Sequence, residues 1–188
     1  RNYLVDMLRT GYNIQSCPNG KEALIIIREF NPDLVISDIM MPEMGGDELC
    51  ATIKGDLEMS HIPVVLLTPL GDEKHMLEGL EIGADAYITK PFSVGILKAT
   101  IKNILTNRAL LRRVYNSIED EEPNFPVNCT NTLDWKFIAS VKECIEKNMG
   151  DSDFNVEMLS NLHYMSRTSF FNKLKALTGY APADYIRL

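Results

Sequence analysis

Short apolar runs alternate with amphipathic stretches through the first half of the chain. Three runs are rich in β-branched residues and each ends at a polar side chain, namely 33–38, 62–68 and 86–90. This pattern predicts inner strands of a parallel sheet. Helical spacing of apolar positions marks 1–9, 22–30, 46–54 and 72–82, and a further strand is predicted over 12–16. Strands that alternate with helices indicate an α/β fold with helices on both faces of the sheet.

The pattern changes in the second half. A long helix is predicted from Ser93 to about Ile118, followed by an acidic, proline-broken stretch over 119–126 that is typical of a linker. After it, helical periodicity returns over 135–148, 156–162 and 166–177, with no strand pattern. We therefore predict three parts: an α/β domain at 1–108, a helical extension with linker at 109–130, and an all-helical segment at 131–188.

Composition and charge indicate what class of protein this chain belongs to. The chain has 188 residues, 45% of them hydrophobic, and a net charge of −7, yet 166–188 holds four basic side chains against one acidic. That basic end hints at a polyanionic partner. The cysteines show neither metal-ligand spacing nor a disulfide framework, and no apolar run reaches the roughly 20 residues that span a bilayer, which predicts a cytoplasmic protein. The chain begins without Met in a helical pattern, so we expect it to be part of a longer protein.

Three polar side chains stand at predicted strand ends: Asp38, Thr68 and Lys90. Because parallel strands end at one edge of a sheet, we expect the three to converge. A carboxylate, a hydroxyl and an ammonium suit phosphoryl transfer, with Asp38 as nucleophile and the other two holding phosphoryl oxygens. Each residue taken singly is more often a structural cap or turn former, and it is their joint occurrence that favours the phosphoryl-transfer site. Phosphatases with a D-x-D motif are set aside because the second position is Met40.

The stretches "PDLVISDIMMPEMGG", "IPVVLLT" and "AYITKPF" resemble the receiver domain of two-component response regulators. The resemblance covers about residues 1–108. It implies a flavodoxin-like fold and a histidine kinase partner that donates a phosphoryl group to Asp38. It also implies a switch hydroxyl at Thr68, an active-site lysine at Lys90, an inward-swinging aromatic at Tyr87, and Mg²⁺ bound by Asp38 and the backbone carbonyl of Met40.

Two departures from the receiver pattern affect these expectations. Receivers carry an acidic, Mg²⁺-binding pair at the end of their first strand, and that strand would precede Arg1. Asp6 is no substitute because it falls a helical turn into the first predicted helix. We therefore expect weak or absent Mg²⁺ binding by this stretch of chain. In addition, Pro69 follows Thr68 where receivers usually have a small residue, which would stiffen the switch loop.

The last helices suggest a helix-turn-helix. Ser166 is a good N-cap, and Phe170, Leu174 and Leu177 form an apolar stripe with helical spacing. Two short helices joined by a tight turn, the second with a polar face, are typical of this motif. An ordinary helical bundle with a solvated polar face fits the same pattern.

The run "MSRTSFFNKLKALTGYAPADYIRL" resembles the first half of an AraC-type DNA-binding domain, over about residues 134–188. The resemblance implies that Thr168, Phe171 and Asn172 face base edges and that Arg167 and Lys175 meet phosphates. His163 stands where the family tends to be apolar, and we expect it to pack in the core. Tyr164 stands in the turn where glycine is common, and we expect strain there.

The long helix has its own apolar spacing, through Leu97, Ile101, Ile104, Leu111, Tyr115 and Ile118. It indicates either packing on the sheet or a two-stranded coil that pairs two chains over 97–118. The whole pattern predicts a phosphorylation-controlled transcription factor rather than a metabolic enzyme, and it leaves open both self-dephosphorylation and a place in a larger hybrid histidine kinase. The order of parts also resembles the C-terminal end of hybrid sensor kinases. The alternative is a phosphorelay or protein-interaction module whose helical end binds protein.

Overall fold

The structure, a computed structural model of the chain, describes residues 2–69, 82–116, 132–151 and 153–187. They form two compact units: the described residues up to 55 and between 62 and 105 form the first, and those at 56–61 and after 105 form the second. Most of the predicted helix 72–82 and the predicted linker over 119–126 lie outside the described residues. The three-part division therefore stays a prediction. Of the helices in the described ranges, none has the length and apolar character needed to cross a bilayer.

The first unit contains a parallel sheet with the described strands β1 (Val35–Asp38), β2 (Val64–Thr68) and β3 (Ala86–Thr89), in the order β1-β2-β3. In the register, Asp38 lies beside Leu67 and Thr68 lies beside Thr89. All of β2 is buried, as a central strand of an α/β sheet should be. The three predicted inner strands are thereby confirmed.

Helices cover both faces of this sheet. They are α1 (Asn2–Leu8), α2 (Gly20–Phe30), α3 (Gly46–Gly55) and the beginning of α4 (Val94–Asn116). Leu8 of α1 and Leu97 of α4 pack with Val65 and Leu67 in one core cluster. Strand side chains alternate between faces, so Leu66 and Thr68 point to the opposite face, where α3 contacts β2.

The packing of α4 bears on whether the apolar stripe over 97–118 lies on the sheet or pairs two chains. Leu97 and Ile101 are buried in the sheet core, and Ile104 packs against it. In the described part of the stripe, these side chains therefore pack within their own chain, as the interpretation of packing on the sheet predicts. Ile118 and the side chains of Leu111 and Tyr115 lie outside the described residues.

The predicted strand over 12–16 is wrong, because these residues have no ladder hydrogen bonds. Among the described residues, β1 pairs with β2 and has no strand on its other side. A strand forms only when a neighbouring backbone accepts and donates its hydrogen bonds, and that condition cannot be read from a local pattern. Ile14 still packs against the core cluster of the sheet, so the hydrophobic part of the expectation holds.

The second unit is helical, with α5 (Thr132–Asn148), α6 (Val156–Leu162), α7 (Arg167–Thr178) and α8 (Pro182–Tyr185). Its core contains Phe137, Leu159, Phe170, Leu174 and Leu177, so the predicted stripe of α7 is confirmed.

The helix boundaries of this unit follow from caps. The Oδ1 of Asn155 accepts from two backbone amides at the start of α6. The Oγ of Ser166 accepts from the backbone amide of Ser169 at 3.0 Å at the start of α7, and Gly179 ends that helix in the left-handed conformation. The short helix α8 was not predicted.

Candidate functional site

Asp38 is the last residue of β1, and its carboxylate lies at the carboxyl edge of the sheet. One oxygen, Oδ1, accepts a hydrogen bond from the backbone amide of Met40 at 3.3 Å. The other, Oδ2, is bound by the ammonium of Lys90. The side chain of Asp38 is 36% exposed and that of Lys90 is 37% exposed. A reagent from solvent can therefore reach the carboxylate although it is paired.

Lys90 follows β3 and is fixed to the sheet by its backbone. Its amide donates to the carbonyl of Thr68 at 2.7 Å, at the end of the central strand. Asp38 lies beside the same strand on the other side. The structure thus brings Asp38 and Lys90 together across the end of β2, as predicted from the sequence. Thr68 ends β2 between them and is 2% exposed.

Tyr87 lies on the sheet face that α3 covers, beside Leu66. Its hydroxyl is buried and has no hydrogen-bond partner among the described residues. Burial, with smaller contributions from Cys50 and Asp85, raises the pKa of Tyr87 to about 12. The hydroxyl therefore stays neutral across the physiological range, and the ring is held inward in this structure.

The loop after Asp38 is closed tightly by backbone contacts. The amide of Gly46 donates to the carbonyl of Ile39 at 3.0 Å, and the hydroxyl of Ser37 donates to the carbonyl of Asp38 at 3.1 Å. A Cβ on Gly46 would come within 2.3 Å of the carbonyl oxygen of Asp38. This contact, which requires glycine at the start of α3, was not anticipated from the sequence.

The magnesium site implied by the receiver resemblance stays a prediction. Mg²⁺ is usually held by one or two carboxylates with water and further oxygen ligands, and at the ends of the described strands β1, β2 and β3 the carboxylate is that of Asp38. That carboxylate already binds the Lys90 ammonium. In the described ranges, no group of three or more histidine, cysteine, aspartate or glutamate side chains could hold a metal ion. Whether the Met40 carbonyl takes part remains a prediction.

In the second unit, the side chains predicted to read DNA lie on α7. Arg167, Thr168, Phe171 and Lys175 are exposed, whereas Asn172 is half-buried. The ammonium of Lys175 lies 5.5 Å from the centre of the Phe171 ring. Thr168, Phe171 and Lys175 therefore form one outward face, on the side of the helix away from the apolar stripe, and Arg167 is exposed in the first turn.

Two other predictions in this unit can be compared with the structure. His163 packs against the rings of Phe137 and Phe170, as expected of a core histidine. Its Nδ1 lies 2.8 Å from the carbonyl of Leu159, and its buried Nε2 has no hydrogen-bond partner in the part of the chain that the structure describes. Tyr164 has a positive φ of 55°, the strained conformation expected in the turn, and its side chain is 98% exposed.

Comparison with known proteins bears on the first unit above all. The family model of the response regulator receiver domain matches residues 1–102. The chain is 40% identical over 187 residues to Histidine kinase P4 of Formosa agariphila and spans 14% of that protein's length. It is 43% identical over 95 residues to the probable transcriptional regulator ycf27 of Porphyra purpurea, of which it spans 38%.

Among solved structures, the signal receiver domain of a signal transduction histidine kinase from Syntrophus aciditrophicus is 37% identical, with a TM-score of 0.53. The match covers 66% of this chain and 89% of that one. Together with the parallel sheet and the Asp38–Lys90 pair at its edge, these similarities confirm the flavodoxin-like receiver fold. The chain belongs to the response regulator receiver domain family.

Proposed function

We propose that Asp38 accepts a phosphoryl group from a histidine kinase and that Thr68 and Lys90 hold the phosphoryl oxygens. The observation that supports this most strongly is the pairing of the Asp38 carboxylate with the Lys90 ammonium beside Thr68. A carboxylate at a sheet edge that is both paired and partly exposed can act as a nucleophile without being lost in the core.

The reaction is a phosphoryl transfer between two side chains. A carboxylate oxygen of Asp38 forms a bond to phosphorus while the bond from phosphorus to the kinase histidine breaks. The imidazole nitrogen keeps that electron pair and takes up a proton. The Lys90 ammonium moves from the carboxylate to an oxygen of the acyl phosphate, where the negative charge is greater, and the Thr68 hydroxyl donates to another.

The test uses intact-mass measurement after incubation with a small phosphodonor such as a phosphoramidate. One added phosphoryl group is expected in the natural chain and in Asp33→Asn, because Asp33 is an exposed carboxylate upstream of β1. None is expected in Asp38→Asn. Equal labelling of all three proteins would contradict the assignment.

Magnesium should have little effect on labelling of these 188 residues, because the Asp38 carboxylate is already paired with the Lys90 ammonium and the described strand ends add no second carboxylate. A chain extended at its N-terminus by an acidic pair of the kind that receivers carry should label faster, and its rate should depend on magnesium. If labelling of the 188-residue chain accelerates strongly with magnesium, then its own residues form a metal site that the structure does not contain.

We further propose that the second unit binds DNA through α7 and that phosphorylation of Asp38 controls this binding. The support is the exposed face of Arg167, Thr168, Phe171 and Lys175 on a capped helix that follows a short helix and a tight turn. Phe171 can touch thymine methyl groups and Asn172 can pair with adenine, whereas Arg167 and Lys175 suit phosphates.

Selection from a pool of random duplexes tests this function. We expect weak, salt-sensitive binding with a preferred sequence, because one helix-turn-helix offers few phosphate contacts. Asn172→Ala should relax the preference at one base pair at a cost of about 1–3 kcal/mol. Lys175→Ala should weaken binding to all sequences alike. A pool that shows no enrichment would favour the alternative of a protein-interaction module.

A further inference from the structure

Lys173 is a fully buried lysine in the middle of α7, with 0% of its surface exposed. Its Nζ donates to the Oδ1 of Asp134 at 2.7 Å, to the Oγ of Ser60 at 2.8 Å and to the carbonyl of Leu57 at 2.5 Å. An ammonium has three N–H donors, so these three acceptors satisfy it completely.

The partners of the ammonium are themselves ordered. The Ser60 hydroxyl accepts from Lys173 and donates to the Oδ1 of Asp134 at 2.7 Å, which closes a triangle of hydrogen bonds. Asp134 lies in the first turn of α5 and is 5% exposed. Ser60 and Leu57 lie in the segment Asp56–His61, which belongs to the second unit although it lies between α3 and β2 in the chain.

Stability does not by itself explain a lysine at this position. Replacing a buried ion pair by well-packed apolar side chains is often neutral or stabilising, because the charges lose their hydration. Burial accordingly lowers the pKa of Lys173, against the opposing effect of the Asp134 carboxylate. The ion pair differs from an apolar contact in being directional, since three acceptors fix both the position and the direction of the ammonium.

That direction matters for the outward face of α7. At about 100° per residue, Thr168, Phe171 and Lys175 lie roughly 140° to 160° around the helix axis from Lys173. The three hydrogen bonds of Lys173 add a directional constraint to the packing of the apolar stripe. Any rotation that moved its ammonium away from Asp134 would turn the outward face by the same angle.

We propose that Lys173 is a positioning residue for DNA recognition. Its ammonium, held by Asp134, Ser60 and Leu57, fixes the rotation of α7 that presents Thr168, Phe171 and Lys175 to a DNA groove. This role rests on the DNA-binding function proposed above.

The first measurement is independent of DNA and uses the 188-residue chain. Acetic anhydride acetylates exposed lysines, and mass spectrometry of peptides gives the rate at each one. Lys173 should react roughly 100-fold more slowly than Lys175, because reaction requires local opening of the unit. Ser60→Ala, which removes one acceptor with little change in volume, should raise the rate at Lys173 and leave that at Lys175 unchanged. Equal rates at the two lysines in the unaltered chain would overturn the proposal.

The second measurement separates positioning from stability. In the double variant Asp134→Leu with Lys173→Met, both charges are removed, and its urea midpoint should stay near that of the natural chain. Its selectivity is the ratio of affinities for a selected duplex and a scrambled duplex. We expect this ratio to fall about 10-fold, equivalent to one base contact. Lys175→Met, the control on the outward face, should lower both affinities and keep the ratio.

The outcomes distinguish this proposal from the one on which it rests. If the natural chain selects a sequence and a folded double variant selects it equally well, Lys173 has no positioning role and DNA binding stands. If the double variant does not fold, Ser60→Ala replaces it, and unchanged selectivity in that variant likewise contradicts the role. If the natural chain selects no sequence, the DNA-binding function fails and this role of Lys173 fails with it.

Discussion

Replacing Gly46 by alanine would place a methyl group against the backbone of the proposed phosphoacceptor. The new Cβ would lie 2.3 Å from the carbonyl oxygen of Asp38, 2.9 Å from its carbonyl carbon and 2.8 Å from the Oγ of Ser37. An ordinary contact begins near 3.4 Å, so α3 and the end of β1 would have to separate by about 1 Å. Backbone atoms cannot rotate away as a flexible side chain can.

Gly46→Ala should affect both the stability of the chain and the rate of its phosphorylation. The forced separation should lower the free energy of unfolding by about 1–3 kcal/mol, the usual cost of overpacking. The displacement also moves the Asp38 carboxylate relative to the Lys90 ammonium. Because a misplacement of about 1 Å can reduce a rate about 100-fold, labelling by a phosphodonor should fall much further than the folded fraction does.

Urea unfolding and the initial rate of phosphoryl incorporation measure the two effects. Gly55→Ala is the matched control, since Gly55 lies at the other end of α3 and a Cβ there would meet nothing within 4 Å. That variant should be as stable as the natural chain or slightly more so, with an unchanged labelling rate. A Gly46→Ala variant that labels at the natural rate would refute the argument that this contact positions Asp38.

Three further substitutions test the structure by urea unfolding. Tyr87→Phe should be neutral or stabilising at pH 7, because the buried hydroxyl has no partner. Burial raises the pKa of Tyr87 to about 12 in the folded chain, so the stability that this residue contributes below pH 10 is lost between about pH 10 and 12. Tyr87→Phe should reduce that loss. An equal loss in the variant would contradict burial of Tyr87 as its cause. Ser166→Ala should cost about 1 kcal/mol through loss of the cap on α7, and no loss would count against the capping hydrogen bond. Tyr164→Gly should stabilise the second unit by about 1 kcal/mol, because φ is 55° and the exposed ring makes no packing contribution; destabilisation would argue against strain in the turn.

Local sequence patterns predicted the features that depend on the conformational preferences of neighbouring residues. The apolar runs predicted β1, β2 and β3 to within a few residues, and the N-cap Ser166 predicted the start of α7. The meeting of Asp38 with Lys90 followed from one topological rule, that parallel strands end at the same edge.

Features that depend on distant partners could not be predicted in this way. The segment 12–16 has strand-like residues but no neighbouring backbone among the described residues with which to pair. The burial of Lys173 depends on Asp134 and Ser60, which are 39 and 113 residues away in the chain. One local signal was present, since Lys173 lies next to Leu174 and three residues after Phe170, and a charge beside an apolar helix stripe suggests a buried partner.

The position of the phosphoryl group is measured most directly by reductive trapping. Borohydride reduces an acyl phosphate on an aspartate to the alcohol, homoserine, and does not act on phosphoserine or phosphothreonine. After incubation with a phosphodonor and reduction, peptide sequencing by mass spectrometry should find homoserine at position 38. An unreduced Asp38 in phosphorylated chain, or homoserine at another aspartate such as Asp33, would contradict the assignment of Asp38 as the phosphoacceptor.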